Sequence, residues 1–556
     1  MNRPRVELKF RAPFATPESR GGQAPRYRVS IDHGMRIERD VAIRLRDGVE
    51  IYADVHRPLN DESAAPIIAW GPYGKHVPNQ PERYLPGAVD PQHLSPRTAF
   101  EAPNPDYWVP AGYAVVNVDP RGMWHSGGRA SYLSEQEADD FYDVIEWSGT
   151  QPWSNGKVGL SGVSYLASSQ WRVAGRNPPH LAAINPWEGW SDTYREVVYH
   201  GGVPDSSFWT YIAQRWGASS TAIEDLALET REHPFFDDFW ASKAARFGEI
   251  RVPAYVVASW TDQGLHTRGT LEGFKGIASP RKWLEVHGRK KWAYYYEPES
   301  VARQRVFFDH FLKGIENEIR DWPPVLLEAR ERHYVGGKYA EQEWPIARTR
   351  YTKLFLDGES RTLRLEAPAR AGLQSYDAAD KSATPDHAEF EFRFAKRTDV
   401  VGHMALHVYV EARGADDMDL FVGIQKRDAS GAIVPFPYCA QFDNGPVALG
   451  WLRASHRELD PRRSTPQQPV LSHQRLLPVP AGSVIEVDVE IWPSGTRFEA
   501  GEALVLIVQG SEINKSTAIA HYKHENTVNR GRHVVHTGDR HPSHLLIPIV
   551  PDLGAS

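Results

Sequence analysis

The chain has 556 residues, enough for about three to five domains, and its 41% hydrophobic and 24% charged content is an ordinary globular mix; a small binding module and wholesale disorder are excluded. The net charge is −7 with acids and bases interspersed, so no basic stripe exists for a phosphate backbone and nucleic acid is excluded as a partner. The single cysteine, Cys439, excludes an intrachain disulfide and a thiolate metal cluster; no apolar run approaches the roughly 18 residues of a membrane span, and the first residues lack the apolar core of a secretory signal. The expectation is a cytoplasmic protein with no membrane partner.

Residues 1 to about 30 are rich in Arg, Pro and Gly and read as an extended arm. Val41 to Arg46, an Asp47-Gly48 turn, and Val49 to His56 alternate apolar and polar side chains as a β-hairpin requires. Buried-strand runs follow at Pro66 to Trp70, Tyr113 to Val118, Lys157 to Leu160, Leu181 to Ile184, Ala254 to Ser259 and Lys282 to Val286. Among them, Ser134-Glu135-Gln136-Glu137 is a capping box opening a helix to about Trp147. A second helix follows Ser164, and a third runs from about Val301 to Leu312 before Lys313-Gly314 stops it. Strands alternating with helices imply a mostly parallel sheet covered on both faces.

From Ser191 to Ile250 the rhythm changes to helical stretches, Thr221 to Thr230 and Phe235 to Ala245, which read as a cap. Its Trp209, Trp216, Phe235, Phe236, Phe239 and Trp240 either floor a pocket or form plain core. After about Trp344 come short alternating strands: Lys353 to Leu356, Glu389 to Phe394, Met404 to Glu411, Leu420 to Gln425, Val484 to Ile491 and Ala503 to Gln509. They read as an all-β sandwich.

The sharpest local signal is Gly162-Val163-Ser164 between a strand and a helix, the setting of a nucleophile elbow, in which a tight turn lifts a serine hydroxyl to the sheet edge. The second glycine of Gly-x-Ser-x-Gly is missing, with Leu166 in its place, so a helix-capping serine stays open as the alternative. Asp262 follows one late strand and His287 the next, giving the chain order Ser, Asp, His of an α/β-hydrolase triad. His287 would take the Ser164 proton, and Asp262 would fix the imidazole tautomer. The backbone amide of Tyr165 would be one oxyanion donor, and the loop Gly71-Pro72-Tyr73-Gly74-Lys75 would supply the other. His266, in the helix after Asp262, and His310 compete less well for the base. Arg121 reads as an organiser that pairs with a carboxylate, and Asp139, Asp140 and Asp143 as the solvated face of a helix.

Asp47-Gly48-Val49, the Gly71 to Lys75 loop, Asp119-Pro120-Arg121-Gly122 with Ser126-x-Gly128, and Gly162-Val163-Ser164-Tyr165-Leu166 together resemble the bacterial cocaine esterase / X-Pro dipeptidyl-peptidase family, serine peptidase family S15. Gly402, Asp417 to Phe421 and Leu452 to Arg457 resemble that family's C-terminal jelly roll. The resemblance implies an α/β-hydrolase domain over 1–190 and 251–345, a helical cap at 191–250 and a jelly-roll β-sandwich at 346–556. It also implies that Gly-x-Ser-Tyr is the elbow and that the Tyr73 phenol is the second oxyanion donor, against the alternative of a packed loop aromatic. The family writes its base as Gly-Pro-Trp-x-His, whereas this chain reads Val286-His287-Gly288-Arg289-Lys290-Lys291-Trp292.

The leading expectation is a serine hydrolase, free of metal and cofactor, that cleaves a small carboxylic ester or activated amide through an acyl-enzyme. An X-Pro dipeptidyl aminopeptidase and a β-lactam side-chain acylase or α-amino ester hydrolase are the alternatives. Either would need acids such as Glu188, Asp192, Glu196 or Asp205 to face Ser164. A non-catalytic β-sandwich binding protein is the remote one. Trp187, Trp190, Trp209 and Trp260 are expected at the pocket, where they would suit a bulky acyl group, while Arg289, Lys290 and Lys291 could attract a carboxylate-bearing one. A homodimer is the default assembly.

Overall fold

The computed structural model describes residues 6–59, 63–77, 89–215, 217–514 and 523–553. Trp216, counted above among the aromatics of the inserted segment, lies outside the described residues. In the first half the chain forms β1 (Arg28–Asp32), β2 (Met35–Arg44), β3 (Glu50–Pro58), β4 (Ala65–Trp70), β5 (Tyr113–Asp119), β6 (Val158–Val163), β7 (Leu181–Trp187), β8 (Ala254–Ser259), β9 (Lys282–His287), β10 (Val325–Arg332) and β11 (Val335–Glu341). Hydrogen-bonded pairs give the order 1-2-3-5-4-6-7-8-9-10-11, parallel from β5 through β10 and antiparallel at both ends. The order reverses where β4 lies between β5 and β6, so the carboxyl ends of the parallel strands open a crevice there.

Each of β4, β5, β6 and β8 is buried along its whole length, as continuous apolar runs require when helices cover both faces. The covering helices are α1 (Glu135–Gly149), α2 (Tyr165–Ala174), α3 (Thr267–Gly276), α4 (Lys291–Tyr296) and α5 (Pro298–Lys313). Ser134 caps α1 as expected, accepting from the Glu137 amide at 3.0 Å. Glu137 does not close a capping box onto Ser134. Its carboxylate takes the Leu133 amide, the Tyr165 phenol at 2.7 Å and the Trp70 indole at 2.9 Å, tying α1 to the start of α2.

Asp139, Asp140 and Asp143 are not a solvated row. Asp140 is buried on the Arg121 guanidinium at 2.7 Å, Asp143 binds Arg46 and Asp139 lies 3.2 Å from Arg176. Arg121 is thus the organiser the sequence suggested, joining α1 to Asp47 of the β2–β3 turn at 2.8 Å.

Residues 191–250 hold short helices at Phe208–Arg215, Leu226–Glu232 and Asp238–Lys243 and a π-helical turn at Tyr194–Val198. The N-terminal arm is pinned to this segment, with Phe10–Arg11 pairing with Ile223–Glu224 and Arg11 donating to the carbonyls of Ala213 and Gln214.

The second half is mostly strands: β12 (Arg350–Asp357), β13 (His387–Arg393), β14 (Thr398–Arg413), β15 (Asp419–Arg427), β16 (Phe436–Tyr438), β17 (Phe442–Gly445), β18 (Ala448–Arg453), β19 (Val484–Phe498), β20 (Ala503–Gln509), β21 (Arg532–Thr537) and β22 (His544–Ile549). They pair antiparallel as β12-β22-β14-β19-β18-β15-β20-β13, with β21 also on β14. Met404, Leu406, Val408, Val410 and Ala412 alternate along β14 into an apolar core that Val487, Val489 and Ile491 of β19 share.

The two halves share one continuous surface. β10 meets β19 at Arg330 and Thr496, and the buried Arg330 guanidinium binds Ser494 Oγ at 2.7 Å and the Val447 carbonyl at 3.0 Å. Trp260 lies in this seam, its indole on the Glu328 carbonyl at 2.7 Å and its ring against Trp344.

Candidate active site

β6 runs into Ser164, whose φ of 63° and ψ of −118° are strained for any residue but glycine, and α2 leaves immediately. The turn is held by the Ser164 amide on the Trp187 carbonyl at 3.0 Å and by the Ser164 carbonyl, which accepts from Ser168 at 2.9 Å. Leu166 fits without a glycine of its own because the space is cleared opposite it. A Cβ on Gly162 would sit 2.6 Å from the Leu166 Cβ, and one on Gly71 would sit 2.5 Å from its Cδ1.

The Ser164 hydroxyl lies 3.2 Å from Nε2 of His266. Nδ1 of the same ring contacts Asp262 Oδ2, which is the tautomer-fixing bond that a general base needs. Asp262 and His266 are four residues apart at the entry to α3, so one turn of backbone sets their spacing, and both are fully buried. Trp190 stacks on the His266 ring with centroids 5.7 Å apart.

Lys291, at the start of α4, places Nζ 2.9 Å from Asp262 Oδ2 and 3.1 Å from His266 Nδ1. Burial works against charge on Asp262, yet the Lys291 ammonium and His266 hold its carboxyl well below the usual carboxylate range. Burial, and then the Lys291 ammonium, push His266 down to about 4 against the pull of Asp262.

His287 does not make the contact expected of it. It ends β9 with Nδ1 accepting from the Arg289 amide at 3.1 Å and Nε2 lying 3.1 Å from Glu188 Oε1, and its ring packs on Tyr294 at 4.1 Å. The physical reason is register. His287 belongs to the strand, paired with Ser259, and is held below the edge, whereas the loop after Ser259 turns His266 back over the elbow.

The Tyr73 phenol interacts with the Glu101 carboxyl, the Ser164 hydroxyl and the Tyr165 amide. Burial, and then the charge of Glu101, push its pKa well above the ordinary value, so it stays a proton donor. Glu101 was not singled out in the sequence. It has a φ of 62°, its carbonyl accepts from the Val163 amide at 3.1 Å, and its carboxyl takes the Trp292 indole at 2.7 Å. Burial pushes Glu101 up to about 7, with Lys291 opposing.

Of the four tryptophans expected at a pocket, Trp190 touches His266. Trp187 is core, its indole on Asn185 at 2.9 Å and its ring against Tyr295; Trp209 bonds Thr230 within residues 191–250; Trp260 sits in the seam between the halves. The basic run beside β9 is also committed: Lys290 pairs with Asp443 at 2.7 Å, Arg289 stacks over Tyr334, and Lys291 is in the Ser164 cluster.

The loop carrying Asp262 is clamped by the second half. The Cys439 amide donates to the Thr261 carbonyl at 2.8 Å, the Tyr438 phenol to the Gln263 carbonyl at 3.2 Å, and the Gln263 side chain bridges the Pro493 carbonyl and the Leu449 amide.

The model of the X-Pro dipeptidyl-peptidase (S15) family matches residues 47–290, and that of the X-Pro dipeptidyl-peptidase C-terminal non-catalytic domain matches 317–546. A CocE/NonD family hydrolase from Staphylococcus aureus superimposes with a TM-score of 0.90 at 42% identity, over 95% of this chain and 97% of that one. The chain belongs to the CocE/NonD hydrolase family. Cocaine esterase of Rhodococcus sp. is 25% identical, covering 94% of this chain and all of its own length. A putative Xaa-Pro dipeptidyl-peptidase of Bacillus cereus is 25% identical over 50% of this chain and 53% of its own.

The signal that could have pointed to His266 was Asp262-x-x-x-His266, an i, i+4 pair at a helix start.

Proposed function

We propose that this CocE/NonD hydrolase cleaves carboxylic esters, or activated amides, through an acyl-enzyme on Ser164. The observation that carries the reading is the 3.2 Å contact between Ser164 Oγ and His266 Nε2, with the other ring nitrogen on Asp262. Ser164 Oγ attacks the carbonyl carbon and its proton passes to His266 Nε2. The developing oxyanion accepts from the Tyr73 phenol and the Tyr165 amide; the C–O or C–N bond breaks as His266 returns the proton to the leaving group. Water then repeats the sequence, frees the acid and restores Ser164.

His266 replaces His287 in the role of base in this reading. We read residues 191–250 as the cap over this edge and the strand-rich half from residue 346 as the jelly roll.

The state of the four acids singled out in the sequence as candidate amine binders favours an ester over a peptide with a free amine. Glu196 is bound to Arg268 at 2.8 Å, Asp192 to Arg195 at 2.8 Å, Asp205 to the Trp209 amide at 2.6 Å, and Glu188 to the Ser259 hydroxyl at 2.6 Å. Each is engaged before any ammonium arrives.

The test is labelling with a fluorophosphonate and a p-nitrophenyl acetate burst, with peptide mapping of the labelled residue. Benzoyl esters are then compared with Gly-Pro-p-nitroanilide. Label on Ser164 with faster ester turnover is expected. Absence of label overturns the hydrolase reading, and preference for the anilide overturns the substrate class.

A further inference from the structure

We propose that Lys291 is a positioning residue for this reaction, its buried ammonium holding the Asp262 carboxylate beneath His266 and setting the charge against which the base works. The inference rests on the reading of Ser164 as nucleophile and His266 as base. One oxygen, Asp262 Oδ2, takes both the imidazole Nδ1 and the lysine Nζ, and the lysine side chain is 4% exposed while the other two are fully buried. A buried carboxylate paired with a neutral imidazole alone carries one negative charge, which disappears when the imidazole is protonated. With Lys291 the cluster starts neutral and becomes positive.

In a low-dielectric site the second change is the harder one, so the imidazolium is destabilised and the free base persists to lower pH. The same imidazolium is a stronger acid when it hands the proton to the leaving group.

The contacts of the His266 ring come from several elements. Asp262 comes from its own loop, Ser164 from the elbow, Lys291 from α4, and the Trp190 ring covers one face. Lys291 in turn contacts Asp262 and interacts electrostatically with Cys439, Glu101 and Glu188. Among the described residues Lys291 is the cation in direct contact with the ring, and after burial it is the largest influence pushing His266 down to about 4.

The experiment is the pH dependence of the rate at which a fluorophosphonate modifies Ser164, in the wild-type protein, Lys291→Arg and Lys291→Met, with folding followed by near-UV circular dichroism. The wild-type acid limb is expected below pH 5, that of Lys291→Arg within about half a unit of it, and that of Lys291→Met higher by about one unit or more. A Lys291→Met limb coinciding with the wild type overturns the inference. Should that variant fail to fold, Lys291→Gln takes its place with the same two outcomes, and a wild-type acid limb at or above pH 6 also overturns the inference. Label that appears with an unmoved limb defeats Lys291 only; no label at any pH defeats the hydrolase reading with it.

Discussion

At the residue scale the proposed mechanism gives the two histidines different roles. Ser164→Ala and His266→Ala should each lower turnover by on the order of 10⁴-fold or more with the fold retained, as removal of a triad member does. His287→Ala should stay within about tenfold of wild type while losing roughly 1–3 kcal/mol of stability, since it empties a buried contact with Glu188 and an accepting site for the Arg289 amide. Turnover assays and thermal melts on the three variants check this, and a catalytically dead, fully stable His287→Ala would return the base to that residue. Tyr73→Phe should cost about 10²- to 10³-fold in kcat if its phenol meets the oxyanion, and a variant within twofold would reduce Tyr73 to packing. Ser164 and Asp262 were legible because each stands at the end of a strand whose apolar run is unmistakable. His266 was not, since its merit lies in where an irregular turn aims it, and no periodicity encodes that. Glu101 and Lys291 were hidden for a related reason: their partners are more than a hundred residues away along the chain or across several elements, and neither pairing leaves a local pattern.

At the element scale, buried strands and long helices were readable to within a few residues, because continuous apolar runs and caps are local properties. The predicted strand Lys157 to Leu160 extends to Val163, and Leu181 to Ile184 extends to Trp187, both beyond their apolar runs. Polar Ser161 and Asn185 are buried there and engaged, Ser161 beside the Tyr295 phenol and Asn185 donating to the Tyr255 carbonyl, so the pattern ended early while the strands did not. The missing elbow glycine has its counterpart in the glycines on the facing elements. Gly162→Ala is therefore expected to cost about 1–3 kcal/mol or more and to lower kcat, because its φ of 148° and the 2.6 Å approach to Leu166 leave no room for a methyl group. The double variant Gly162→Ala, Leu166→Gly should recover part of the stability in a denaturant melt; no recovery would mean that backbone conformation alone makes the glycine necessary.

At the scale of the whole molecule, the strand-rich half is part of the frame of the site. Arg268, on α3 two residues past His266, binds Glu196 at 2.8 Å and Glu490 of β19 at 2.9 Å and is itself buried. Arg268→Met should destabilise the protein by roughly 3–5 kcal/mol, because Glu196 is left buried without its cation, and a melting temperature equal to the wild type would show the seam to be slack. Asp262 and His266 share one short stretch of backbone, whereas Ser164 reaches that stretch across the ends of three neighbouring strands. A shift of that stretch, which the strand-rich half clamps through Tyr438 and Cys439, would leave the acid and base in step with each other but open the gap to the nucleophile. Warming would then silence the enzyme before it melts, and cooling would restore it.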